Sequence, residues 1–256
     1  MTTPGDPGSM ALWLRQIRAV IALEWQRYMF GRRAIPLYLL ALMPVAGFIA
    51  SYSVSVIRSQ PLETSEAMTI FSWSFNLLTL RFVVTFGCIA VFTNLFRAEI
   101  AGKSLHYYFL VPIRREVLTV GKYMAGLISA IVIFSTSTAI SYVLAILAHD
   151  GEAVSRWFAG AGSGHLVSYV GITVLGCLGY GAVFLVAGLF LRNPIVPAAL
   201  IWLWEGANPF LPALFKKASV IFYLQSMLPV RLPEGPFAVL ANPVPAWLAV
   251  LGFLLF

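Results

Sequence analysis

The chain has 256 residues, of which 60% are apolar and only 11% are charged. A soluble domain carries roughly 25% charged residues, so the composition excludes an ordinary soluble protein and indicates a membrane protein. The formal net charge of +7 comes from Lys and Arg residues that flank apolar runs, which is typical of membrane topology rather than of nucleic-acid binding. We therefore expect an all-α polytopic membrane protein, with residues 1–256 forming a single transmembrane domain that binds no nucleic acid.

The first predicted element is an amphipathic helix over residues 10–31. Apolar residues recur there at helical spacing, while Arg15 and Arg18 fall opposite them. Tryptophan and tyrosine on the apolar side favour a helix that lies in the plane of the membrane interface. Glu24 falls within the apolar stripe, and we expect it to pair with Arg27 or Arg18, or to face a partner protein.

Six apolar runs follow, and we predict that each is a membrane span. The first run reaches roughly 34 Å as a helix, which exceeds a hydrocarbon core of about 30 Å. The fifth run is irregular, because Glu205 and two prolines interrupt it. The predicted spans are residues 35–57, 69–96, 123–147, 166–191, 194–212 and 238–256.

Two segments between these spans are predicted not to cross the membrane. Residues 148–165 carry acidic residues and several glycines, a composition typical of a flexible loop. Residues 213–228 carry Lys216 and Lys217 near one end, which opposes a crossing, so we expect an external or a re-entrant helix. The last apolar run has no basic anchor at its end, which predicts a truncated final helix or a missing tail.

The basic residues are distributed unevenly between the two sides of these spans. Of the 17 Lys and Arg residues, 11 fall in residues 1–34, in residues 97–122 and at position 192, which are alternate loops that share one side. The positive-inside bias predicts that this side is cytoplasmic. Six spans then place both chain ends in the cytoplasm.

Two charged residues are expected near the middle of the bilayer. Arg81 in the second span and Glu205 in the fifth lie roughly 17–18 Å from the starts of their spans. A lone charge there costs on the order of 2.5–3.5 kcal/mol, so we expect the two residues to pair and to face a common polar interior. This interior is either a substrate path or gate, or an ion pair that fixes helix packing. Asn76 and Asn208 are expected to join it.

Residues 97–123 form the one long charged, amphipathic segment between two strongly apolar runs. The pattern predicts a helix from about residue 98 to about residue 111, with apolar and charged residues on opposite sides. Pro112 ends this helix, because proline cannot continue the hydrogen-bond ladder. Such a segment at the membrane surface is either a docking element for a cytoplasmic protein or an ordinary basic loop.

The sequence contains no motif that carries chemistry of its own. Gly102-Lys103-Ser104 resembles the end of a phosphate-binding loop, but Arg97 stands where that motif needs glycine. The three histidines lack metal-ligand spacing, and no GxSxG nucleophile motif occurs. We therefore expect that this chain is not an enzyme and holds no nucleotide, metal or other cofactor itself.

Three short motifs follow one another between the second and third predicted spans. They are Phe96-Arg97-x-Glu99-x-x-Gly102-Lys103-Ser104-Leu105, then Pro112-Ile113-x-Arg115, then Gly121-Lys122. Together they resemble the signature of type-2 ABC transporter permease subunits, which lies between the same two helices in that family. The family architecture of an N-terminal elbow helix, six spans and a broken external segment before the sixth agrees with the whole predicted chain.

This resemblance implies that residues 97–112 form a coupling helix seated in a groove on a separate cytoplasmic ATPase, which binds ATP and Mg. A second permease chain, identical or paralogous, would face this one in a bacterial inner membrane. ATP binding would close the ATPases, swing the coupling helices and open an outward route. The residues that the resemblance assigns to coupling are Arg97, Glu99, Gly102, Lys103, Leu105, Tyr107, Tyr108, Phe109, Pro112, Arg114 and Arg115.

The resemblance favours an exporter, and an apolar interior with few charges favours an amphipathic or lipidic substrate. Two other functions stay open. The same scaffold could transmit mechanical work to an extracytoplasmic partner, with residues 206–237 as the docking segment. An ion-coupled carrier is a weaker alternative, because no series of intramembrane carboxylates and no internal repeat is visible.

Overall fold

The computed structural model describes residues 7–32, 34–58, 64–93, 95, 115–147, 151–190, 195–207, 210, 213–230 and 245. Every regular element within these residues is helical, which confirms the predicted all-α class. We number the α-helices in chain order and name the two π-helical segments separately. The α-helices are α1 (Pro7–Phe30), α2 (Ala34–Arg58), α3 (Thr64–Ser74), α4 (Thr85–Phe92), α5 (Arg115–Leu147), α6 (Gly151–Trp157), α7 (Ser163–Phe190), α8 (Ile195–Ala207), α9 (Ala213–Lys216) and α10 (Val220–Ser226), and the π-helical segments are Phe75–Val84 and Phe158–Gly162.

Four helical stretches are long and apolar enough to cross a membrane. They are Ala34–Val54, Ser65–Phe92, Glu116–Leu147 and Gly151–Gly188, and they overlap the first four predicted spans. The second and fourth stretches each contain a π-helical segment, so each is continuous but changes its hydrogen-bond register part-way. The chain is thus a helical protein with membrane-spanning character.

The central helix of the fold is α5, against which α1, α2 and α7 all pack. It begins at Arg115, well before the predicted start of the third span at residue 123, and its 33 residues reach about 50 Å. This length exceeds a hydrocarbon core of about 30 Å, so α5 either tilts strongly or extends beyond the core.

Close packing on α5 depends on small residues opposite large ones. A Cβ atom at Gly87 in α4, for example, would lie 2.0 Å from the Phe134 ring of α5.

The prediction of a flexible loop over residues 148–165 is wrong. Residues from Gly151 onward are helical and continue through the second π-helical segment into α7. The glycines make a kink instead of a loop, since Gly160 alone leaves the helical region, with φ −99° and ψ −123°. The Tyr142 hydroxyl donates to the Gly162 carbonyl at 2.8 Å, and the Trp157 indole donates to that hydroxyl at 3.0 Å. These bonds hold the kink against α5.

The described helix in the fifth predicted span is short. Helix α8 has 13 residues and reaches about 20 Å, which is less than the core thickness. Its end follows Glu205 and Gly206, and two prolines come next in the chain. The prediction that residues 194–212 cross the membrane therefore stays a prediction. The sixth predicted span, residues 238–256, of which only residue 245 is described, stays a prediction as well.

The segment predicted as an external or re-entrant helix contains α9 and α10. Helix α10 packs against α7 and the first π-helical segment, and Val220, Ile221 and Leu224 are fully or almost fully buried. The Lys217 side chain, by contrast, is exposed. This burial places α10 in the packed interior of the protein, and both the external and the re-entrant alternative stay predictions.

Helix α1 covers most of the predicted interfacial helix and packs along α5. A Cβ atom at Gly121 of α5 would lie 2.8 Å from Val20 of α1, so the two backbones approach closely there. Next to this contact, the Lys122 ammonium donates to the Glu24 carboxylate at 2.9 Å, and both residues are at most 5% exposed. Arg27 pairs with the same carboxylate at 3.2 Å, as the sequence predicted, whereas the contact with Lys122 was not foreseen.

We expect the buried Glu24–Lys122 pair to be strongly coupled. Replacing one partner leaves a buried charge poorly compensated, so Lys122→Met and Glu24→Gln should each destabilise the protein, by up to about 3–5 kcal/mol. The Glu24→Gln/Lys122→Met double variant should lose less than the sum, with a coupling of about 1–3 kcal/mol. Unfolding midpoints in detergent measure this cycle. Arg27→Gln, which removes a half-exposed partner, is the control and should cost at most about 1 kcal/mol. An additive cycle would contradict the assignment.

Candidate functional site

Polar groups in the interior converge where the end of α8 meets the first π-helical segment, α7 and the start of α10. We call this the Arg81–Glu205 cluster. Arg81 and Glu205 are 6% and 5% exposed, respectively, and thus are buried charges. The cluster consists of the Arg81, Tyr180, Glu205 and Ser219 side chains and the backbone N–H groups of Val220 and Ile221.

The Glu205 carboxylate accepts four hydrogen bonds. The Val220 N–H donates to Oε1 at 3.0 Å, and the Ile221 N–H donates to Oε2 at 3.0 Å. Two hydroxyls also donate to Oε2, from Ser219 at 2.8 Å and from Tyr180 at 3.2 Å. An ionised carboxylate only accepts, so four donors match its charged form.

The backbone explains why the chain folds this way at Glu205. The first N–H groups of a helix have no intrahelical partner, and those of α10 are buried together with the residues that carry them. Ser219 precedes the helix with an extended backbone, φ −125° and ψ 134°. The Glu205 carboxylate therefore caps α10 from another helix, in the place where a nearby side chain usually does so.

Arg81 performs the complementary function at the end of α8. Its Nη1 atom donates to the carbonyl oxygens of Glu205 at 3.0 Å and Gly206 at 3.5 Å. Helix α8 ends at Ala207, so these carbonyls belong to its last turn, which lacks intrahelical donors and carries partial negative charge. The Trp202 indole of α8 donates back to the Arg81 carbonyl at 3.2 Å.

The two charged residues thus meet, but not in the way that the sequence predicted. We expected a direct pair between the side chains. Within the described residues, the guanidinium binds backbone carbonyls instead, and no ion pair joins it to the carboxylate. The reason is that two helix ends with unpaired backbone groups compete with the direct pair. The carbonyls at the end of α8 bind the guanidinium, and the N–H groups at the start of α10 bind the carboxylate.

Among the residues that the structure describes, one edge of Arg81 has no partner. Its Nε and Nη2 atoms are both buried and make no hydrogen bond. Arg81 also lies within the first π-helical segment, Phe75–Val84. π-helical turns inside α-helices are frequent at functional sites. This free edge is the most unusual chemical feature of the cluster.

Asn76 takes part in a separate contact at the other end of α10. The Gln225 side chain donates to the side-chain amide oxygen of Asn76, Oδ1, at 2.7 Å, and both residues are buried. This bond ties α10 to the first π-helical segment but does not contact Arg81. Asn208, the other predicted member of the polar interior, lies outside the described residues.

A cavity of about 270 Å³ borders the cluster. This volume is just below the range of about 300–1,000 Å³ that is common for small-molecule sites. The lining is mainly apolar, and Glu205 and Tyr180 bring the polar cluster to its wall. The lining residues are Tyr180, Val183, Leu200, Ile201, Trp204, Glu205, Ala218 and Val220.

Several residues of this region were not predicted from the sequence. Ser219 stands directly before an apolar run, which is the usual signal of a helix N-cap, so its position was in principle readable. Tyr180 and Gln225 gave no such signal, because each is one polar residue in an apolar helix. Their roles depend on which helices lie opposite them.

The predicted coupling residues lie almost entirely outside the described part of the chain. This holds for Arg97, Glu99, Gly102, Lys103, Leu105, Tyr107, Tyr108, Phe109, Pro112 and Arg114, while Arg115 is the first residue of α5. The coupling helix therefore stays a prediction.

Comparisons with known proteins add no assignment: no protein-family model, no curated protein and no solved structure matches this chain. Among the residues that the structure describes, no group of three or more His, Cys, Asp or Glu side chains could hold a metal ion.

We expect Glu205 to be essential for the fold of this region. Glu205→Ala leaves two buried N–H groups and two hydroxyls without their acceptor, which should cost about 3–5 kcal/mol of stability. Glu205→Gln should lose less stability, because the amide keeps one acceptor oxygen. It should still lose some, because its NH₂ group faces donors. Unfolding midpoints in detergent test both variants. Glu152→Ala, at an exposed glutamate, is the matched control. Equal midpoints for Glu205→Ala and Glu152→Ala would refute the capping role.

Proposed function

We propose that this chain is the membrane-embedded permease subunit of an ATP-driven ABC transporter. It acts as an exporter of an amphipathic or lipidic substrate and works with a separate cytoplasmic ATPase, which binds ATP and Mg. The proposal starts from the resemblance of residues 96–122 to the type-2 permease signature. The observation in the structure that supports it best is the length and packing of α5, the helix that follows this stretch in sequence.

Helix α5 is described from Arg115, which follows the basic stretch directly in sequence, and runs for 33 residues without interruption into the core. A helix of this kind moves as a rigid element, so a displacement of residues 97–114 would be carried into the packed interior. At the second turn, the buried Lys122–Glu24 pair also connects α5 to α1. A displacement of the basic stretch would thus move both α5 and α1, as an ATP-driven permease requires.

The interior supports the choice of substrate class. The cavity beside Glu205 has a mainly apolar lining and contains one charged residue. Such a lining suits an amphipathic molecule better than a polyanion. We assign Arg81 and Glu205 to the substrate pathway, with Asn76 and Asn208 as further polar residues along it.

The proposal includes a topology and a set of partners. Six spans place both chain ends in the cytoplasm of a bacterial inner membrane, with α1 as the elbow helix and residues 97–112 as the coupling helix. A second permease chain faces this one across the transport route. The two ATPases lie beneath, in contact with the coupling helices.

We expect this chain to co-purify with one of the candidate ABC ATPase subunits expressed with it. Glu99→Ala/Arg115→Ala should lower ATPase capture at least about tenfold, since charge-assisted contacts contribute about 1.5–3 kcal/mol. Quantitative pull-down from membranes solubilised in mild detergent measures this capture. The matched control is Glu66→Ala/Lys217→Ala, which removes one acidic and one basic exposed side chain predicted on the opposite side.

Each result of this experiment has a definite meaning. Loss of capture in the first double variant alone supports docking at the basic stretch. Equal capture by wild type and both variants would refute docking there. No ATPase under any condition would refute the ABC assignment. Stimulation of the captured ATPase by candidate amphiphiles would then favour export over mechanical transmission.

The topology is tested by labelling single cysteines with a membrane-impermeant maleimide. The two native cysteines, Cys88 and Cys177, are buried and are replaced by alanine first. In intact cells, Ser155→Cys and Lys217→Cys should react, whereas Lys103→Cys should react only after the membrane is permeabilised. Labelling of Lys103→Cys and Ser155→Cys from the same side would exclude the third crossing. Labelling of Lys217→Cys only after permeabilisation would exclude the fifth.

A further inference from the structure

We propose that the Nε–Nη2 edge of Arg81 binds the anionic group, a carboxylate or a phosphate, of a lipid-soluble ligand. The inference starts from an imbalance in the Arg81–Glu205 cluster. Glu205 has four donors, whereas Arg81 uses one nitrogen only. The remaining two guanidinium nitrogens are buried and without a partner.

The geometry of a guanidinium makes this edge specific. Nε and Nη2 present parallel N–H bonds, which match the two oxygens of a carboxylate or phosphate in a bidentate contact. A buried charged donor without a partner is costly, so native proteins rarely keep one without a functional reason. The position of the free edge within a π-helical segment is a second indication of function.

The surroundings hold Arg81 in place. Nη1 is bound to the last turn of α8, and Trp202 of the same helix donates to the Arg81 backbone carbonyl at 3.2 Å. The residue is therefore anchored to α8 through both its side chain and its backbone. Such preorganisation lowers the entropic cost of binding a ligand.

The protein's own anion does not contact the free edge within the described residues. Glu205 Oε1 accepts from the Val220 N–H, and Oε2 accepts from the Ile221 N–H and the hydroxyls of Tyr180 and Ser219. A buried cation without a contacting carboxylate attracts an external anion and repels an amine. The ligand class is therefore anionic.

The neighbouring cavity indicates the rest of the ligand. The cavity wall includes Glu205, whose backbone carbonyl binds Arg81 Nη1, whereas Arg81 itself is not a lining residue, so the cavity lies one residue away from the guanidinium. Most of the lining is aliphatic or aromatic and suits a hydrocarbon chain. That the ligand is transport cargo rests on the proposed function, whereas anion binding as such does not. The same chemistry could come from a bilayer phospholipid.

Tryptophan fluorescence measures this binding in the purified, detergent-solubilised chain. Trp204 lines the cavity and Trp202 contacts Arg81, so brominated amphiphiles bound there should quench the emission. The probes are dibromostearate and its uncharged methyl ester, compared at mildly alkaline pH so that the acid is ionised. We expect the wild type to bind the acid at least about tenfold more tightly than the ester.

Variants of Arg81 assign this preference to the guanidinium. Arg81→Gln should reduce the acid-to-ester ratio to about one. Arg81→Lys should retain part of it, because lysine keeps the charge but loses the bidentate geometry. Arg156→Gln, at an exposed arginine, is the matched control and should leave the ratio unchanged.

Competition then separates the two sources of the anion. Relief of quenching by phosphatidylglycerol would identify a bilayer lipid, and relief by dodecyl phosphate alone would identify a single-chain amphiphile. Either result supports the site. Equal affinity of the wild type for the acid and the ester would overturn the proposal, and this result does not depend on the folding of any variant. An unchanged preference for the acid in well-folded Arg81→Gln would also overturn it. The fluorescence assay contains no ATPase. A negative binding result is therefore independent of the outcome of the ATPase pull-down.

Discussion

A helix that ends inside an apolar interior leaves backbone groups without partners, and this constraint organises the most distinctive part of the molecule. Helix α8 ends at Ala207, and α10 begins at Val220 beside it. Water cannot satisfy buried helix ends of this kind, so the protein must do so itself. Arg81 binds the carbonyls of the first end, and Glu205 binds the N–H groups of the second. The two buried charges therefore bind the ends of two helices instead of forming a direct ion pair with each other.

This arrangement connects structure to the proposed transport function. A broken helix provides free backbone ends, side-chain charges and a cavity in one place, which a continuous apolar helix cannot do. The cluster also joins four elements that are far apart in sequence: the first π-helical segment, α7, α8 and α10. Helix α5 packs against α7 and begins at the basic stretch. Under the proposed function, a movement of α5 would reach the cluster through these packing contacts.

Much of the fold could be predicted from composition and periodicity, because long apolar runs can be satisfied in a membrane only as helices. The depth argument also led correctly to Arg81 and Glu205 as neighbours, since both charges lie well inside apolar segments. Its error was to consider side-chain charges alone and to leave out the partial charges of helix ends. Residues 148–165 were misjudged for a related reason. Glycine lowers helix propensity, but Trp157 and Tyr142 supply tertiary hydrogen bonds that outweigh it.

The sequence by itself determined that the chain is helical, with apolar stretches long enough to cross a membrane and a basic segment between its second and third apolar runs. These properties follow from hydropathy and charge, which are local quantities. Only the tertiary structure decided that Lys122 meets Glu24, that Tyr180 and Ser219 bind Glu205, and that one edge of Arg81 is free. The reason is physical: the partner of a buried polar group depends on which helices pack side by side. That choice is made by the shapes of many side chains together, and no local pattern records it.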